Sequence, residues 1–153
     1  QKIIRIGTCG VISPKVKIPE IILADNIYSE SNFAYSYNSF KEHIVKPNLE
    51  LTNNITRVAE EKKMHIHKGT IMTTEVFGPY ADDECLLARA PKDLNILGEE
   101  MEAFALVHVA NSFNRQAAVM VTAVSKFTDK IVTVEERQTS LNDMISLALD
   151  SLI

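Results

Sequence analysis

Hydrophobic and polar positions follow two rhythms along this 153-residue chain. Residues 2–9, KIIRIGTC, and 20–27, EIILADNI, are short apolar runs bounded by a glycine-containing turn and by Pro14 and Pro19, which predicts two buried strands. After Lys46-Pro47 the spacing changes. Leu51, Ile55, Val58 and Ala59 fall at i, i+4, i+7 and i+8, the stripe of a helix running to about Lys63. Residues 65–76, HIHKGTIMTTEV, read as a strand ended by Gly78-Pro79, and 82–90 as a helix in a surface excursion. Leu94–Leu97 predicts a short strand, followed by a helix over about 101–113 that is apolar on nearly every side and therefore interior. QAAVMVTAVS, residues 116–125, is the most hydrophobic segment and predicts a central strand. Thr133-x-x-Glu136 is a capping box opening a last helix, with Leu141, Met144, Ile145, Ala148, Leu149 and Leu152 as its apolar stripe. Residues 28–38, polar and aromatic without a period, read as loop or edge structure. Strands and helices in alternation predict an α/β fold, three layers (αβα) around a mixed central sheet, in a single domain over 1–153.

Composition narrows the function without naming it. Hydrophobic residues make up 46% and charged residues 24%, ordinary for a globular protein with a sizeable core. A net charge of −4 with no dense Lys/Arg run excludes a nucleic-acid binder, and no apolar run is long enough to span a membrane. Two cysteines, Cys9 and Cys85, without metal-like spacing, point to a reducing cytoplasm and no disulfide framework. The chain opens in mid-strand at Gln1-Lys2-Ile3, which reads as part of something longer.

Candidate chemistry concentrates at strand ends. Glu99, Glu100 and Glu102 lie in Gly98-Glu99-Glu100-Met101-Glu102-Ala103, where a strand gives way to the buried helix and a carboxylate needs a partner or a ligand. Arg5 and the turn Gly7-Thr8-Cys9-Gly10 bring a cation, a hydroxyl and flexible N–H groups, either a plain turn or an oxyanion cradle. The pattern is neither GxGxxG nor a Walker loop. Phe77 can stack on a planar ligand, with core filling the default. His65 and His67 share a strand face, but with no carboxylate or cysteine near in sequence they read as an exposed face, and no metal is expected. His108 reads as a hydrogen-bonded core histidine and Cys9 as a buried, inert thiol. Ser125, Lys126 and Asp129 end the central strand and enter its loop; Arg137 sits in the first turn of the last helix, opposed to the helix dipole.

Ile4-Arg5-Ile6-Gly7-Thr8-Cys9-Gly10, Gly98 to Ala103 with its Glu-Met-Glu-Ala core, and Glu136-Arg137-Gln138-Thr139-Ser140-Leu141-Asn142-Asp143-Met144 occur in one order over nearly the whole chain. In these segments the chain resembles the C-terminal two-thirds of hexameric, bacterial DeoD-type purine nucleoside phosphorylases. Glu-Met-Glu-Ala alone is shared with methylthioadenosine nucleosidases and uridine phosphorylases; the last segment points to the purine branch. The resemblance implies a nucleoside phosphorylase-like fold and phosphorolysis of purine nucleosides, with phosphate as co-substrate and no other cofactor. It assigns phosphate to Arg5 and Thr8, the nucleoside to Phe77, Glu100, Met101, Glu102 and Ser125, and the ribose hydroxyls to Glu102. It also implies a homo-oligomer, dimer or hexamer.

Two departures matter. The family's acid is an aspartate after the serine, where this chain has Lys126, a poor acid with an ordinary pKa of about 10.4. Asp129 is the candidate replacement, and Lys126 would face Arg137, the residue that assists the family's acid. The family's first segment, with a glycine-rich turn, an arginine for phosphate and groups for the neighbouring subunit, has no counterpart here. Either the chain is a fragment of a longer enzyme or it is an impaired nucleoside-binding relative; a nucleosidase using water is the third reading, which a phosphate site argues against.

Overall fold

The computed structural model describes residues 1–80, 87–126, 133 and 141–153, with Pro79 and Lys126 described by backbone only. Six strands, β1 (Lys2–Val11), β2 (Ile21–Tyr28), β3 (Ile44–Val45), β4 (Ile66–Thr73), β5 (Ile96–Glu100) and β6 (Gln116–Lys126), form one mixed sheet in the order β3-β2-β4-β5-β1-β6. Among the described residues four complete helices accompany it: α1 (Phe33–Asn38), α2 (Leu49–Glu61), α3 (Ala103–Ser112) and α4 (Asn142–Asp150).

The hydrophobic run at 116–125 becomes the central strand its composition predicts. Residues Ala117 to Val124 are all buried, which requires cover on both faces. Alternation divides them. Ala117, Val119, Val121 and Ala123 pack with Ala103, Phe104, Val107 and Ala110 of α3. Ala118 and Met120 meet Leu51, Ile55 and Val58 of α2 and Met144 and Leu147 of α4. The sheet is thus layered between helices, as expected for the α/β class.

The sheet also curls until it meets itself. β1 and β6 run parallel over ten register pairs, and β2 and β4 over seven. β2 then pairs antiparallel with β6 at Ile21–Leu23, closing a ring β2-β4-β5-β1-β6. The opposite seam, β1 with β5, has two register pairs, Gly10 with Glu99 and Val11 with Gly98. The N–H groups of Ile12 and Ser13 extend it by donating to the Leu97 carbonyl.

Several elements differ from expectation. Residues 33–38 are helical rather than loop. The reason is tertiary: Phe33 and Tyr37 stack at 5.9 Å and both meet the buried His108 edge-on, a stabilisation that no local period announces. The expected strand 94–97 is instead Ile96–Glu100, so Glu99 and Glu100 are strand residues paired with Met72 and Thr73, and the helix starts at Ala103. In α4 the buried set is Met144, Leu147 and Ala148; Ile145, Leu149 and Leu152 are exposed, so the packed face is rotated from the expected stripe. Residues 87–89 are helical within the expected helix 82–90, whose first part lies outside the described residues, as does Glu136 of the capping box.

Gly98 sets the closeness of the β1–β5 seam. A Cβ built there would lie 2.7 Å from the Gly10 carbonyl oxygen and 3.0 Å from Cys9 Sγ. The nearer obstacle is backbone and cannot swing away. Gly98→Ala should therefore lower unfolding free energy by about 1–3 kcal/mol, read from the urea midpoint at unchanged m-value.

Candidate active site

β1 carries Arg5 to the seam with β5. Two residues on, Gly7 leaves room for the guanidinium to lie against the strand: a Cβ at Gly7 would stand 2.6 Å from Arg5 Nη1. Arg5 Nη2 then reaches two carboxylates, Glu100 at 2.9 Å and Glu102. These two glutamates are not equivalent.

Glu100 is buried, its side chain 2% exposed. Its Oε1 accepts from the Thr73 hydroxyl at 2.6 Å and from the Ala103 N–H at 3.1 Å. Its Oε2 accepts from the N–H groups of Glu102 at 3.0 Å and Ala103 at 2.9 Å. Thr73 Oγ1 in turn accepts from the Phe104 N–H at 3.1 Å. The first N–H groups of α3 have no helical partners, and Glu100 with Thr73 satisfies them while placing negative charge at the positive end of the helix dipole. Glu102 occupies the N-cap position but makes no side-chain cap bond, because Glu100 has taken that role. Its side chain is 65% exposed and held on one side by Arg5.

Arg5 is itself only 14% exposed, and its Nη1 is buried without a hydrogen-bond partner among the described residues. A buried guanidinium nitrogen that lacks an acceptor is rare and costly. The site therefore holds an unsatisfied donor beside an open carboxylate.

The other expected residues distribute as follows. Thr8 is half-buried on β1 and pairs in register with Thr122. It is an odd number of positions from Arg5, so alternation turns its side chain to the opposite face. Met101 is exposed beside Glu102. Phe77 is not core: it is 56% exposed past the end of β4 and packs edge-on with Tyr80 at 5.6 Å. Ser125 and the Lys126 backbone pair with Gly10 and Val11 at the end of β6. Asp129 and Arg137 lie outside the described residues.

Two readings of the sequence hold. His108 is buried and its Nε2 bonds Asn38 Oδ1 at 2.9 Å. Burial, then the nearby Glu100 and Glu99, push the Cys9 thiol up to about 12, so it stays protonated and non-nucleophilic. His65 is exposed and His67 half-buried, and the fold brings the carboxylate of the distant Glu20 to 2.7 Å from His67 Nε2. Thr73 was not singled out from sequence, and a threonine in a β-branched strand gives no signal that its hydroxyl will serve a distant helix.

Residues 1–150 match the family described as the phosphorylase superfamily. The chain belongs to this superfamily. Over its whole length it is 31% identical to a DeoD-type purine nucleoside phosphorylase of Oceanobacillus iheyensis and 33% identical to one of Shewanella oneidensis, covering 65% and 64% of those proteins. The chain thus spans just under two-thirds of the curated relatives it matches. Its fold resembles that of a Campylobacter jejuni 5′-methylthioadenosine/S-adenosyl homocysteine nucleosidase, with TM-score 0.79, 18% identity, and coverage of 97% of this chain and 67% of the other. In this superfamily member the segment of three glutamates therefore divides between a strand end, a buried cap and an exposed carboxylate.

That division is measurable. Arg5→Met leaves the buried Glu100 carboxylate without its counter-charge and should cost about 3–5 kcal/mol in urea unfolding. Glu102→Gln, at an exposed position, should cost less than about 1 kcal/mol in the same measurement.

Proposed function

We propose that this chain carries the phosphate and sugar sites of a purine nucleoside phosphorylase, releasing free purine and ribose or deoxyribose 1-phosphate, with phosphate as the only co-substrate. The observation that carries this reading is Arg5: a largely buried guanidinium, 14% exposed, whose Nη2 is shared between the buried Glu100 and the open carboxylate of Glu102. The part of the guanidinium that reaches solvent can take an oxyanion through charge-assisted hydrogen bonds. The DeoD-type relatives and the Arg5-Ile6-Gly7-Thr8-Cys9-Gly10 and Glu100-Met101-Glu102-Ala103 segments support the same reading.

On this reading Glu102 accepts hydrogen bonds from the 2′- and 3′-hydroxyls, and Phe77 and Met101 border the base. Charge builds on the sugar as the C1′–N9 bond breaks, and the Glu102 anion stabilises that oxocarbenium-like state. A phosphate oxygen forms the new bond to C1′. The bonding pair of C1′–N9 leaves with the purine, which takes a proton at N7 from a general acid. Asp129 is assigned that role, with Lys126 the other candidate. Glu100 acts through position, fixing the start of α3 and one side of Arg5. The enzyme works as a homo-oligomer, dimer or hexamer, in the cytoplasm.

The test is purine release from inosine and adenosine with and without phosphate. Release that requires phosphate supports the proposal; release without phosphate makes the enzyme a nucleosidase. Nucleoside binding without release leaves a binding protein. In an active preparation, Glu102→Gln should lower kcat/KM by roughly 100-fold, the weight of a charged hydrogen bond strengthened in the transition state. Asp129→Asn should abolish release, and full activity in that variant would transfer the acid role to Lys126.

A further inference from the structure

A second cluster lies at the other end of β4. His65 and His67 flank Ile66, which pairs with Ile21 in the parallel β2–β4 ladder, and Glu20 immediately precedes Ile21. Ile21 and Ile66 both pack on the α2–α4 side, so alternation turns Glu20, His65 and His67 together to the other face. One ligand atom from each of the three lies within 4.8 Å of the other two. His67 Nε2 is 2.7 Å from Glu20 Oε2, and the two imidazole rings are 4.7 Å apart and nearly perpendicular. Among the described residues no other trio of His, Cys, Asp or Glu converges in this way.

The carboxylate is oriented before any ion arrives. The Lys17 N–H donates to Glu20 Oε2 at 2.7 Å, and the Glu20 N–H donates back to the Lys17 carbonyl at 2.8 Å. The Glu20 carbonyl accepts from Ala123 of β6 at 2.9 Å, which fixes its backbone to the closing seam. Outer hydrogen bonds of this kind hold metal-ligating carboxylates in place. Glu20 Oε1 makes no hydrogen bond among the described residues, which leaves it available to a cation.

We propose that Glu20, His65 and His67 form a binding site for a divalent transition-metal ion of the zinc class. Two imidazoles and one carboxylate are a borderline donor set that suits zinc and disfavours magnesium or calcium, and water completes a four-coordinate shell. Thr73 lies six positions beyond His67 along β4, about 20 Å of strand, so the ion takes no part in chemistry at Arg5. Its effect is to pin the turn before β2 to the start of β4.

The probe is zinc chloride titrated by calorimetry into the untagged full chain, with cobalt chloride as a spectroscopic substitute. The expected result is one zinc per chain, a higher melting temperature with zinc, and visible cobalt absorption typical of low coordination number. His65→Asn, His67→Asn and Glu20→Gln, each checked for native circular dichroism, should each weaken zinc binding on the order of tenfold or more and remove the thermal shift. No stoichiometric binding by the parent chain, or equal binding by the His65→Asn/His67→Asn double variant, would overturn the proposal. Phosphorolysis is not needed for any of these readouts.

Discussion

The ion pair between Arg5 and Glu100 is the interaction on which the rest of the structure depends, because it joins three elements that have little else in common at that point. Glu100 ends β5, satisfies the first N–H groups of α3, and faces the guanidinium that β1 delivers. A buried carboxylate is costly alone and tolerable only when its charge and its lone pairs are both answered. Here Thr73, two backbone N–H groups and Arg5 answer them. The arrangement then leaves Glu102, two residues on, exposed and close to the same cation. Burial of one glutamate is what presents the other.

How much of this was legible in the residues depends on whether the cause is local. The α2 helix shows its face plainly, since Leu51, Ile55, Val58 and Ala59 are all buried as their spacing requires. The β6 strand shows itself by an apolar run that only two-sided cover can explain. The Arg5 and Glu-Met-Glu segments stand out by residue type and order. By contrast α1 exists because its rings reach His108, more than seventy positions away in sequence, and Ser39 closes it in the left-handed region with φ of 61°.

The division of labour between Glu100 and Glu102 was equally hidden. It turns on whether the segment is strand or helix at residue 100, and the pairing of Thr73 with Glu100 decides for strand. Glu20 joins the two histidines through a parallel register that no spacing within the sequence reveals. In each case a contact between distant segments, not a local preference, selects the outcome.

The ring has a mechanical consequence. Its long ladders bind β1 to β6 and β2 to β4, so the sheet is two stiff ribbons meeting along two short seams. Arg5 and Glu100 bridge one seam; Glu20, tied to Ala123, stands at the other. Because the loop of strands is closed, neither ribbon can pivot at one seam without straining the second. Arg5 and Glu100 fasten one side of the frame through side chains, the Ala123 N–H on the Glu20 carbonyl fastens the other, and the geometry around Arg5 is held partly by what fastens the far side.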